Sequence, residues 1–252
     1  MLMYYVPLKP GFWKTFGKPF HAFWCCTGTG IEEYSKANDT IYFHDDHSIY
    51  VNLFIGSEAH WKEKDVRLLQ DTNFPVEQGT TLTFKADKPT ALALKIRIPY
   101  WTEGAQIKVN GKAQNVIATP SNYAEIKRTW HDGDKVEVSL PMHLHTTPLP
   151  DDQTLQAAMY GPLVLAAEMG TEDLTKAMIY GDYGPDEEKH KGYPMPEVVT
   201  AANSPTGWLE RVPGDDLKFR TVGQSQQTSL IPLYKLFDQR YSVYWKVNTK
   251  QA

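Results

Sequence analysis

Both cysteines of the chain stand side by side, as Cys25 and Cys26, within Phe23-Trp24-Cys25-Cys26-Thr27-Gly28-Thr29-Gly30. Consecutive Cα atoms are about 3.8 Å apart, below the roughly 4.4 Å usual for a disulfide, so a bridge between neighbours is strained and two free thiols are expected. A thiolate is both a nucleophile and a soft metal ligand. Two at one point suit a shared Zn2+, whose charge also keeps them deprotonated at neutral pH. The competing reading is a pair of small buried hydrophobes, the usual fate of free cysteine. The flanking residues argue for chemistry. Thr27 to Gly30 offers backbone amides and small side chains to an approaching group, while Phe23 and Trp24 could wall a pocket or stack on a sugar ring.

Other titratable clusters carry weaker signals. His44-Asp45-Asp46-His47 contains metal-ligand types but falls where a turn is expected, and Asp favours turns through local hydrogen bonds. His143 and His145 alternate onto one strand face with no carboxylate in the same run, which reads as a polar strand end. Glycosidase carboxylates must face each other across a sugar, whereas Asp151-Asp152 and Glu187-Glu188 point apart or lie in loops. Glu32 and Glu33 are near the cysteines in sequence; a capping or helix-surface role is favoured over a place beside a metal. Tyr241, Tyr244 and Trp245 suggest sugar stacking, but alternation places Tyr241, Val243 and Trp245 on one face, where core packing suffices. Asn38-Asp39-Thr40 fits a glycosylation sequon, a pattern chance often supplies.

These residues must be positioned mainly by strands. From residue 40 onward the dominant period is two: Ile49, Val51, Leu53 and Ile55 alternate with polar or aromatic neighbours, and Leu92, Leu94, Ile96 and Ile98 do the same up to Pro99. Turn chemistry separates the runs at Asp45-Asp46-His47, at Asn110-Gly111 and at Asp132-Gly133, the last two being strong hairpin signals. A first antiparallel β-sandwich is expected over residues 38–147. Pro148-Leu149-Pro150-Asp151-Asp152 reads as the boundary to a second β-rich, sandwich-like domain over 148–252. Its first strand runs from Ala157 to Ala167 with an interruption at Gly161-Pro162, its last from Arg240 to Val247, and Tyr183 to Pro196 reads as a long loop. Helix evidence is confined to Thr29 to Ala37, with Thr29 as N-cap and Glu32 at capping-box spacing. A helix start near the cysteines favours thiolate.

Composition bounds the rest. The 252 residues suffice for two domains, and 41% hydrophobic with 12% aromatic content is ordinary for a soluble globular protein. A net charge of −4 gives no reason to expect nucleic acid as a partner. The longest apolar runs, such as Leu163 to Ala167, fall far short of the roughly 20 residues of a membrane span, and no leader is legible, so the compartment stays open.

The segments Tyr5-Val6-Pro7-Leu8-Lys9-Pro10-Gly11, Phe23 to Glu32, Ile41-Tyr42-Phe43-His44, Tyr50-Val51-Asn52-Leu53-Phe54, Tyr160-Gly161-Pro162-Leu163-Val164-Leu165-Ala166 and Gln239-Arg240-Tyr241-Ser242-Val243-Tyr244-Trp245 together resemble glycoside hydrolase families 127 and 146, the β-L-arabinofuranosidase-type enzymes. That resemblance implies Cys25 as nucleophile, Cys25 and Cys26 as zinc ligands, and an arabinose-containing oligosaccharide or glycan as substrate. It implies an all-β fold of two consecutive antiparallel sandwiches preceded by a short remnant, residues 1–37, of a helical (α/α)6 barrel. A homodimer through the sandwiches is a further expectation. The family's remaining zinc ligands, a Glu and a Cys spaced E-x-C, and its acid/base Glu belong to that barrel. With both cysteines in the pair, no E-x-C can be written here, and 24 residues precede Cys25. The expectation is therefore a C-terminal portion of a retaining, zinc-dependent enzyme, with zinc weak or absent in this chain alone. The alternative is a non-catalytic sandwich serving as scaffold, dimer interface or carbohydrate-binding module.

Overall fold

The computed structural model describes residues 3–18, 20, 23–36, 38–181, 192–201, 204 and 206–250, so the predicted loop from Tyr183 is described only from residue 192. The chain divides into two compact units, Tyr34–His143 and Met1–Glu33 with Leu144–Ala252. Among the described residues no helix is long and apolar enough to cross a membrane.

Tyr34–His143 is a sandwich of two sheets. The first has strand order Lys112–Ala113, Gln106–Val109, Lys135–Ser139, Gly79–Ala86, Val66–Asp71 and Ser57–Trp61; the second has Asn122–Trp130, Thr90–Ile98, Ser48–Val51 and Tyr42–His44. Period-two patterning turns one face of each inward, so Leu82, Phe84, Val136 and Val138 of the first sheet share a core with Leu92, Leu94, Ile96 and Ile126 of the second. Each such side chain contributes about 1.5–3 kcal/mol by leaving water. Trp130 stacks on Phe84 at 4.1 Å between ring centroids, and its indole N–H donates to Leu92 O at 3.2 Å, so no donor is stranded.

Three local expectations are corrected. Ser48–Val51 pairs in parallel with Thr90–Ile98, so the sandwich is not wholly antiparallel. The alternation starting at Ile49 ends with that strand at Val51; beyond it Phe54 is buried and Ile55 is 47% exposed, the reverse of the sequence pattern. Asn110-Gly111 does close a hairpin, with φ of 50° and 76° as a type I′ turn requires. Asp132-Gly133 instead carries the chain from one sheet to the other. Asp134 holds that corner, its carboxylate accepting from His131 N (2.9 Å) and from the Asn110 amide (2.7 Å). A turn dipeptide states how the backbone reverses, not which sheet the next strand joins.

In the other unit, Leu155–Tyr160 and Leu163–Glu168 form a hairpin that splays, and the last stretch of chain enters beside it. Arg240–Ser242 pairs with the far half of Leu163–Glu168, and Tyr244–Lys250 with the near half of Leu155–Tyr160. The strand order is Glu197–Ala201, Tyr244–Lys250, Leu155–Tyr160, Leu163–Glu168, Ser229–Pro232, Phe219–Thr221, Leu209–Arg211, and side chains link its two sides. Trp208 packs on Trp245 at 5.0 Å, and the Gln224 side-chain amide both accepts from Val199 N and donates to Val199 O, each at 2.9 Å, in place of a strand neighbour. Leu144–Pro148 also pairs with Leu155–Tyr160, so the contact boundary falls at His143 and not at Pro148. Residues 1–33 join this unit as well, and do not stand apart as a separate region.

Candidate active site

The cysteines open the helix Cys25–Lys36. The Trp24 carbonyl accepts from Thr27 N (2.9 Å) and Gly28 N (3.3 Å), while the Thr27 hydroxyl accepts from Trp24 N (3.4 Å). Thr27 thus supplies the side-chain half of a cap. The expected N-cap, Thr29, is instead one turn inside the helix, where its hydroxyl donates back to Cys25 O at 3.4 Å. Cys25 and Cys26 therefore occupy the first turn, where the helix dipole favours an anion.

Neither cysteine is in a disulfide and both are exposed, with Sγ atoms 3.8 Å apart, so neither the disulfide nor the buried-hydrophobe reading holds. Phe23 is 75% exposed and Trp24 partly buried, and a Cβ added at Gly28 would lie 3.7 Å from the Phe23 ring. No residue of the helix is buried. Glu32 and Glu33 lie on later turns, about 10 Å or more along the axis from Cys25. Neither can share a metal centre whose bonds are about 2 Å long, or reach the roughly 5 Å separation of a retaining glycosidase pair, within this helix. Among the described residues no group of three or more His, Cys, Asp and Glu is arranged to hold a metal, and His21 lies outside them. The two thiols by themselves suit zinc: a tetrahedral centre with bonds of about 2.3 Å sets its sulfurs about 3.8 Å apart.

The other clusters resolve into structure. Asp45 sits in the turn between Tyr42–His44 and Ser48–Val51, accepting from His47 N (2.8 Å) and from the Tyr50 hydroxyl (2.8 Å). Those two bonds to the ionised form hold its carboxyl down to about 2. The stabilisation is present above the unfolded value of about 3.9 and is lost as pH falls through about 2. Asp45→Asn should therefore flatten the acid limb of stability between about pH 4 and 2 in thermal midpoints measured against pH. Identical slopes for both proteins would refute the assignment. His143 precedes the strand that contains His145, so the two do not share a strand face. Glu187 and Glu188 lie outside the described residues, and Asp152 binds the backbone N–H and hydroxyl of Thr154. Trp245 does not share a face with Tyr241 and Val243. Those two pack with Tyr244, while Trp245 turns to Trp208, because the strand breaks at Val243 and the alternation slips by one.

What sequence reading missed is the clamp that holds the chain leading to the cysteine helix. Phe12–Trp13 pairs with Arg240–Ser242. Gly11 N donates to Tyr241 O at 2.9 Å, and the Tyr241 hydroxyl, pushed upward in pKa by burial, donates to Pro7 O at 2.6 Å. Gly11 has φ of 76°, and a Cβ there would stand 2.6 Å from the Tyr193 ring, so only glycine fits. Arg240 is 4% exposed, donates to Gly11 O (2.6 Å) and Glu172 O (2.9 Å), and lies between the rings of Trp13 and Tyr193 at 5.0 and 5.2 Å. Lys14, also buried, donates to Leu233 O beneath the Phe237 ring, and burial lowers its pKa. The Tyr5-to-Gly11 and Gln239-to-Trp245 motifs are thus two halves of one contact.

Comparison with known proteins agrees with this architecture. Residues 48–142 match the family described as beta-L-arabinofuranosidase, GH127 middle domain, and residues 145–247 match a domain of unknown function. A solved structure described as a glycoside hydrolase superposes with a TM-score of 0.65 at 21% identity, covering 89% of this chain and 40% of its own. A GH127 beta-L-arabinofuranosidase from Geobacillus stearothermophilus T6 gives 0.61 at 18%, covering 89% and 37%. A GH127 beta-arabinofuranosidase gives 0.65 at 17%, covering 98% and 42%. No curated protein matches. The fold is that of the all-β, sandwich-bearing part of such proteins. Residues 48–142 are similar to the glycoside hydrolase family 127 middle domain, and the chain as a whole shares the fold of the matched part of two solved GH127 structures. It spans about two fifths of the length of the solved structures it matches.

Proposed function

We propose that this chain is part of a retaining β-L-arabinofuranosidase-type glycoside hydrolase in which Cys25 is the nucleophile, acting on arabinose-containing glycans. The observation that carries the reading is the pair of exposed thiols, not joined in a disulfide and 3.8 Å apart at a helix start, in a chain whose residues 48–142 match the family 127 middle domain. In the first step Cys25 Sγ forms a bond to the anomeric carbon as the glycosidic C–O bond breaks, and the leaving oxygen takes a proton from a carboxylic acid. In the second a water oxygen bonds to that carbon, the C–S bond breaks, and the carboxylate receives the proton of the water, giving net retention. Glu32 and Glu33 are too far along the helix for the acid/base role, which the family resemblance assigns to a helical barrel. Cys25 and Cys26 would hold zinc, which supplies charge that keeps both thiols ionised. Phe23 and Trp24 are the candidates for contact with the sugar.

The test is covalent trapping in the full-length enzyme. A β-L-arabinofuranosyl haloacetamide should inactivate it with one equivalent bound, halide leaving as the C–S bond forms, and peptide mass mapping should find the adduct on Cys25. An adduct on Cys26, or inactivation with neither thiol labelled, would overturn the assignment.

A further inference from the structure

Two concave regions of Tyr34–His143 have polar linings, and they differ in what those side chains already do. The larger, about 780 Å3, lies on the four-stranded sheet. Apart from Asp46, most of its charged groups answer one another: the Tyr50 hydroxyl donates to Asp45 (2.8 Å), Lys95 donates to Tyr50 (2.8 Å), and Glu125 pairs with both Lys95 (3.7 Å) and Lys127 (2.7 Å). That network is complete without a ligand.

The smaller, about 420 Å3, lies on the outward face of the six-stranded sheet. Strand register draws two rows across it. Lys108, Glu137, Thr81 and Asp71 are successive cross-strand partners, and so are Gln106, Ser139 and Gly79. None of the side chains of Asp71, Thr81, Gln106, Lys108, Glu137 and Ser139 has a hydrogen-bond or ion-pair partner among the described residues. The floor is bare at Gly79, where a Cβ would stand 2.2 Å from Val138 O. The size falls in the range of small-ligand sites, roughly 300–1,000 Å3. Carboxylates, a side-chain amide, hydroxyls and an ammonium offer acceptors and donors side by side, the complement of vicinal hydroxyl groups. Three carboxylates, Asp71, Glu77 and Glu137, against the single cation Lys108 disfavour a polyanion.

We propose that this trough is a glycan-contact site of the middle domain, separate from the cysteine helix, that takes a neutral oligosaccharide. The choice of a glycan over other polyols rests on the glycoside hydrolase reading; the trough itself uses neither thiol. Without an aromatic platform, binding relies on hydrogen bonds and should be weak, on the order of millimolar.

Affinity electrophoresis of the 252-residue chain tests this, with neutral debranched arabinan, neutral galactan or polygalacturonate cast in the gel. At least one neutral polymer should retard the chain and polygalacturonate should not. The double variant Glu137→Lys/Gln106→Ala, at two exposed positions, should lose about tenfold or more in affinity with its melting temperature unchanged. Cys25→Ser should bind as the parent does. Absence of retardation by either neutral polymer, equal retardation by polygalacturonate, or an unaffected double variant would each overturn the site. Loss of binding in Cys25→Ser alone would move the contact to the cysteine helix and also overturn the trough. Retained binding with no trapping at Cys25 would sink the catalytic assignment and leave the trough standing.

Discussion

Replacing Arg240 by methionine is expected to lower the unfolding midpoint of the unit formed by Met1–Glu33 and Leu144–Ala252 by roughly 10 °C, a loss of about 3 kcal/mol. The side chain keeps its volume, but two charge-assisted bonds to Gly11 O and Glu172 O disappear, along with the stacking between Trp13 and Tyr193. Bonds to a charged group contribute about 1.5–3 kcal/mol each, and each ring contact about 1. Against them stands the desolvation of a buried guanidinium, several kcal/mol, which methionine does not incur. The balance still favours arginine, because methionine leaves two carbonyls in a closed site without their donors. Arg240→Lys should recover part of the loss, one carbonyl at most being reached without the planar fork. Tyr241→Phe, which removes the bond to Pro7 O, should cost about 1 kcal/mol. Calorimetry that finds the Arg240→Met protein melting with the parent would show that the clamp contributes nothing.

In the full-length enzyme, Cys25→Ala should lower turnover of an aryl β-L-arabinofuranoside by about four orders of magnitude or more while leaving part of the metal bound, the expected effect of removing a nucleophile. Cys26→Ala should lower zinc content first, with activity falling in proportion to occupancy. The 252-residue chain alone should neither turn over that substrate nor retain stoichiometric zinc, since two thiols are half of a tetrahedral set and no third ligand stands with them among the described residues. Elemental analysis beside thiol titration and a rate assay reads all three. Tightly held zinc in this chain would mean that a nearby group, His21 foremost, completes a centre, and the division of ligands proposed above would fail.

Residue types and their near neighbours along the chain are enough for the local features. The bond geometry of adjacent residues argues against a Cys25–Cys26 bridge, and the structure forms no disulfide between them. Period-two burial over Leu94 to Ile98 follows from pleating alone, and Asn110-Gly111 closes its hairpin because few other dipeptides accept two positive φ angles. The tertiary structure decided everything that depends on which distant segments meet. Asp132-Gly133 looks like a hairpin yet joins two sheets, and Trp245 changes faces at a break in its strand that no local pattern marks. Gln106 and Glu137 reach one trough through cross-strand register, and Arg240 reaches Gly11 over 229 residues. Such encounters are set by the path of the whole chain and by the packing that a buried charge or an inward face requires, so the residues involved carry no signal in their own sequence neighbourhoods.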